Sequence, residues 1–159
     1  MVGARADRGF TLVELVTIMI LIGILAFVAL PNLTQTQGFG ATSFRDRVAA
    51  SLRYAQKSAV AKRRMVCATI PIDGLSLTLA VDAAFGAGAC ASAMAGADGA
   101  TPAAVSPSAT VTLTPAGTLH FQPSGRVTVD PAGANVANFV LNVTGQAPIT
   151  VNGATGYVD

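Results

Sequence analysis

A single acid stands at the mouth of the longest uncharged stretch in the chain. From Leu15 to Phe44 no side chain carries a charge, and from Leu15 to Leu30 the sequence is almost wholly apolar, with Glu14 just ahead of it. At about 1.5 Å per residue, a helix from Phe10 to Leu30 covers roughly the 30 Å of a hydrocarbon core. Such a segment needs lipid or other helices around it. The chain is 52% apolar and 11% charged, and this front segment is where the excess concentrates. The rest of its 159 residues suffices for one domain of ordinary size.

Residues 1–9 are short, polar and positively charged through Arg5 and Arg8. Three readings compete for this arrangement. A secretory signal needs small residues just before its cut, but the candidate near Ala29 has Phe27 where a small residue is wanted. An ordinary anchor explains the apolar run and the basic start, which holds the N-terminus in the cytoplasm. It does not explain Glu14. A carboxylate costs about 2.5–3.5 kcal/mol at a bilayer centre and less near an interface, so it calls for a partner. Cleavage after Gly9 would create one, the new ammonium of Phe10. Within one helix the two groups sit too close to pair ideally. Between neighbouring chains, Glu14 of one can receive the amine of the next, and the pair fixes axial register because a lone buried charge is far costlier.

The run Gly9-Phe10-Thr11-Leu12-Val13-Glu14-Leu15 resembles the processing motif of type IV pilins and type II secretion pseudopilins. The resemblance implies that residues 1–9 are a leader removed by a prepilin peptidase between Gly9 and Phe10, that Phe10 is then N-methylated, and that Glu14 sets register in assembly. It implies a single-pass protein of the bacterial inner membrane, N-terminus cytoplasmic and head periplasmic, held by lipid until it packs with other pilins or pseudopilins. Gly23 and Pro31 fall where this family interrupts its helix. Pro31 lacks a backbone donor and disfavours helical geometry at Leu30, so a break in the form of a kink or local melting is expected there.

The expected fold is α+β and pilin-like: a leader (1–9), a hydrophobic helix (10–37) and a head (38–159) in which a second helical half packs on antiparallel β-structure. Phe44, Val48, Leu52, Ala55 and Ala59 recur at spacings of three and four and define one apolar face. Arg45, Arg47, Arg53, Lys57, Lys62, Arg63 and Arg64 read as a solvated face. Met65 to Ile70 and the alternating Leu75, Leu77, Leu79 and Val81 flank the turn Pro71-Ile72-Asp73-Gly74, which predicts a hairpin. The Ala- and Gly-rich stretch from Asp82 to Ser108 predicts a long surface loop. Further strands are expected at Val111–Leu113, Leu119–Phe121, Arg126–Val129, Phe139–Val143, Ile149–Val151 and Gly156–Val158.

Cys67 and Cys90 have no ligand-spaced histidine or third cysteine, so no metal site is expected. A disulfide closing the loop between them and a pair of free thiols both remain open. The segment Leu52 to Arg64, and Leu119-His120-Phe121-Gln122-Pro123-Ser124-Gly125-Arg126 further on, resemble the GspH/FimT group of minor pilins and pseudopilins. The ending Thr155-Gly156-Tyr157-Val158 is most similar to minor pilins of MSHA-type pili. That likeness implies a minor subunit priming or capping a pilus; an H-type pseudopilin of a type II secretion system is the alternative.

A third alternative is a minor pilin that binds DNA for uptake. Some FimT-like members do so through a C-terminal Gly-Arg-x-Arg motif. Here the ending is Gly156-Tyr157-Val158-Asp159, both basic positions are replaced, and DNA binding is not carried over. Gly125-Arg126 is half of such a motif, and Arg126 reads as a turn or surface residue before it reads as a DNA contact. No paired carboxylates, phosphate loop or nucleophile motif assembles around the sole histidine, His120. The sequence reads as that of a structural subunit without a cofactor, not an enzyme.

Overall fold

The computed structural model describes residues 11–34, 36–106 and 108–159, with side chains described from residue 11 to 26 and from residue 40 onward, apart from residue 107. The chain divides into two units, Met1–Thr36 and Gln37–Asp159. Its elements run α1 (Leu12–Thr34), α2 (Thr36–Lys62), β1 (Val66–Thr69), β2 (Ser76–Val81), β3 (Ser92–Met94), β4 (Ala104–Val105), β5 (Val111–Thr114), β6 (Thr118–Phe121), β7 (Val127–Thr128), β8 (Phe139–Val143) and β9 (Ile149–Val151).

In the first unit, α1 continues through both Gly23 and Pro31 to Thr34, so the helix does not melt at either residue. A proline removes one intrahelical hydrogen bond and crowds the carbonyl four residues back, and a glycine costs about 1 kcal/mol relative to alanine. Neither stops a helix whose remaining residues favour it. The polar stretch after Pro31 likewise lies largely in α1 and the first turns of α2.

In the second unit, the five apolar residues spaced along α2 are all buried, from Phe44 at 2% exposure to Ala59 at 0%. They join one hydrophobic cluster with Val66, Ala68, Leu77, Leu119 and Phe121 of one sheet and Val111, Phe139, Leu141, Ile149 and Val151 of another. Burying a side chain of leucine size contributes about 1.5–3 kcal/mol, so this seam holds the head together. α2 ends in a Schellman motif: Arg64 N donates to Ala59 O at 3.2 Å and Arg63 N to Val60 O at 3.3 Å. Arg63 occupies the left-handed position at φ 50°, where glycine is usual.

The strands form two antiparallel sheets. The larger has the order β3-β2-β1-β6-β7 with β4 also on β2, and the smaller has the order β5-β8-β9. The predicted hairpin is present, β1 pairing with β2 in the register Val66 to Val81 and Thr69 to Thr78. Its turn is closed by Gly74 N on Pro71 O at 2.9 Å, with Asp73 Oδ1 accepting from Leu75 N. Gly74 has φ 66°, and a Cβ there would meet Val111 O at 2.7 Å, so only glycine fits between the two sheets.

The stretch from Asp82 to Ser108 departs from the surface loop expected of it. It contributes β3 and β4 to the larger sheet and buries Met94, Ala103 and Ala104. Small residues here permit close approach: Ser51 Oγ donates to Ala103 O, and Gly96 lies against Ala103. The expected final strand is reduced to a bridge between Val151 and Val158, and the strand at Arg126–Val129 to the two residues of β7.

Candidate assembly site

The candidate site starts at the mouth of α1. Thr11 caps it, its Oγ1 accepting from Glu14 N at 3.3 Å, and Thr17 Oγ1 donates to Glu14 O at 2.9 Å. Thr11-x-x-Glu14 is thus a capping-box sequence, a signal available to sequence reading that was missed. The carboxylate in the first turn also suits the positive end of the helix dipole. Glu14 therefore has a local role in starting the helix beside any role in assembly. Gly9 and Phe10, the expected processing residues, lie outside the described residues.

Apart from Glu14 and Thr17, the described side chains of the helix are apolar or glycine on every side. Leu12, Val13, Leu15, Val16, Ile18, Met19, Ile20, Leu21, Ile22, Ile24 and Leu25 are all exposed, between 43% and 80%. A helix that is apolar all round is stable only when surrounded by an apolar medium or by other helices. Among the described residues no helix is long and apolar enough to cross a membrane. The expected span, Phe10 to Leu30, extends past the described side chains at both ends.

The basic face of α2 is only in part the solvated surface expected. Arg45 Nε donates to Ala147 O at 2.9 Å, Arg47 pairs with Asp98 at 2.9 Å, and Arg53 Nε donates to Val158 O at 3.2 Å. Gln56 Nε2 donates to Thr155 O at 3.1 Å. Each side chain fastens the helix to a different distant loop or to the C-terminus. The Asp98 carboxyl is held below the usual aspartate range, chiefly by the Ala100 amide and then by Arg47. Asp130 is lowered likewise, by the amides of Ala134 and Asn135.

Cys67 and Cys90 are joined in a disulfide with Cα atoms 6.0 Å apart, which ties the segment after β2 to β1. Arg126 is exposed in the β6–β7 hairpin, where its carbonyl accepts from Gln122 N at 2.8 Å. That hairpin meets the C-terminus: Gly156 lies against Gly125 O and Gln56, and Gly156 N donates to Asn152 O at 2.7 Å. The terminal glycine therefore serves close packing. His120 is half-buried in β6 between Cys67 of β1 and Thr128 of β7, and its Nδ1 is buried with no hydrogen-bond partner among the described residues. Its side chain alternates with those of Leu119 and Phe121, which are in the core, so it lies on the opposite face of the sheet. Among the described residues, no group of three or more His, Cys, Asp or Glu side chains is placed to hold a metal.

An apolar first helix capped at an acid, and a head of helix on antiparallel sheet, are features of a pilin-like protein. Known proteins agree on both halves. Residues 4–30 match the model of the prokaryotic N-terminal methylation motif. The fold is shared with the type IV minor pilin FimU of Pseudomonas aeruginosa PAO1, at TM-score 0.51 and 20% identity over 74% of this chain and 90% of that one. A second crystal form of FimU aligns at TM-score 0.45 and 19% identity, over 79% and 88%. No curated protein sequence matches the chain. The chain carries the N-terminal methylation motif at its start, and its fold is pilin-like.

Proposed function

We propose that this protein is a minor pilin of a type IV pilus, of the MSHA-like kind its head resembles, that primes or caps the filament as a structural subunit. A prepilin peptidase removes residues 1–9 on the cytoplasmic side and the amine of Phe10 is methylated. Before assembly the segment 10–37 lies in the inner membrane and the head, 38–159, faces the periplasm. On assembly α1 leaves lipid for the company of other pilin helices, and Glu14 receives the Phe10 amine of a neighbour.

The observation that carries this reading is the all-round exposure of apolar side chains on α1, within a segment that matches the methylation motif. Lipid satisfies such a surface before assembly and neighbouring helices satisfy it afterwards. The mass of the N-terminal peptide from assembled material tests the first step: a chain beginning at methylated Phe10 is expected, and one beginning at Met1 ends the reading. Glu14→Ala tests the second, with incorporation expected to fall at least about tenfold from the loss of one charge partner. Co-isolation with pilins supports a pilus, whereas co-isolation with secretion components transfers the subunit to a pseudopilus.

A further inference from the structure

The outer face of the larger sheet, opposite the hydrophobic core, carries a feature that filament assembly does not use. The register of β1 with its two neighbours places Met65 between Asp82 on one side and Gln122 on the other. Asp82 N donates to Met65 O at 2.9 Å, and Gln122 Nε2 lies 3.7 Å from Met65 Sδ. Above this row is a cavity of about 320 Å³ whose lining includes Phe85, Gly88, Pro123 and Pro131. One wall belongs to the loop that runs from Asp82 to Cys90 and is held to β1 by the disulfide. The other belongs to the β6–β7 hairpin and the turn after β7.

Asp82 is 1% exposed. Its Oδ2 accepts from Gly88 N at 3.0 Å, but Oδ1 is buried with no hydrogen-bond partner among the described residues. The ion pairs among the described residues join Arg45 to Asp46 and Arg47 to Asp98, and neither involves Asp82. A buried carboxylate oxygen without a donor is costly, and a cation relieves that cost better than a neutral group. At the far end, Gln122 Nε2 is committed to Thr128 Oγ1 at 2.9 Å. Met65 lies between the two, and Pro123 and Pro131 also line the cavity, surfaces for a hydrocarbon stem. Phe85, 76% exposed on the rim, presents an aromatic face of the kind that attracts ammonium groups.

We propose that this cavity binds a primary ammonium group on an aliphatic stem, its charge on Asp82 and its methylenes over Met65, Pro123 and Pro131. The exposed loop from Ala83 to Ala89 admits it by swinging about Asp82 and the Cys90 tether. The stem comes from a lysine side chain of a partner protein or from a free polyamine. This site does not depend on the pilus reading.

The test uses the full chain in detergent micelles, with the Met65 methyl and the Gln122 side-chain amide followed by NMR during titration with n-butylammonium. Saturable shifts are expected, with 1-butanol producing none. Asp82→Asn, which keeps an acceptor for Gly88, is expected to weaken binding at least about tenfold. Phe85→Ala changes only an exposed side chain and is expected to weaken it about threefold. Saturation by Nα-acetyl-lysine methylamide or by 1,4-diaminobutane supports the site, and the tighter of the two names the source of the stem. Equal shifts with 1-butanol, a response to calcium alone, unchanged affinity in both variants, or no saturable shift would each overturn it.

Discussion

The two consecutive helices of this protein solve the same problem in opposite ways. α2 buries one face, Phe44 through Ala59, against its own sheets and keeps its charges on the other. α1 exposes large apolar side chains all round and has none of its described ones buried. One helix is completed by its own chain, the other only by something outside it. The sequence distinguishes them by where charge resumes, at Arg45, after thirty uncharged residues. Local helix propensity alone does not separate them.

The comparison breaks or sharpens under substitution. Leu52→Ala should lower head stability by about 2–5 kcal/mol in denaturant unfolding, while Ile20→Ala should leave it within about 0.5 kcal/mol. Comparable losses from both would mean that α1 is also held by its own head. Replacing Cys67 and Cys90 together with serine opens a link across 23 positions and should cost about 3 kcal/mol. That loss belongs to the head and should leave the far-UV signal of α1 in detergent unchanged.

A gain is expected at the end of α2. Arg63→Gly replaces a non-glycine residue at φ 50° and should raise head stability by about 1 kcal/mol, read as a higher midpoint. The smallest effect is on acid tolerance. The Asp98 and Asp130 carboxyls are depressed in the folded head, so their contribution is complete above the ordinary aspartate value of 3.8 and is lost as pH falls below it through the folded values. Asp98→Asn and Asp130→Asn should therefore flatten the acid limb of a stability-against-pH curve and barely move neutral stability.

Much of the head was legible because its signals are local. The three-and-four spacing of Phe44, Val48, Leu52, Ala55 and Ala59 predicts the buried face of α2, and Pro71 to Gly74 predicts the β1–β2 hairpin. What was not legible depends on partners far along the chain. The division into two sheets requires β5 to pair with β8, and β1 with β6, which no local pattern announces. Strands β3 and β4 escaped because Ala103, Ala104 and Gly96 bury by being small, whereas sequence reading looks for large side chains. Arg45 and Arg53 looked solvated because they bond to the carbonyls of Ala147 and Val158, about a hundred residues away. A carbonyl belongs to every residue type and leaves no mark in a sequence.

In the candidate site, the acid at position 14 stood out for its setting, but its capping partner Thr11 did not. Local melting at Pro31 follows from a single-residue rule, whereas helix formation is cooperative along the whole of α1, which runs on to Thr34.

Those long-range arginine contacts have a mechanical consequence. A pull entering the head at the start of α2 runs along the helix axis, and Arg45, Arg47 and Arg53 pass it sideways to the β8–β9 loop, the Asp98 loop and the C-terminus. The load is shared among three attachments in separate parts of the head, one of them at the last residues of the chain.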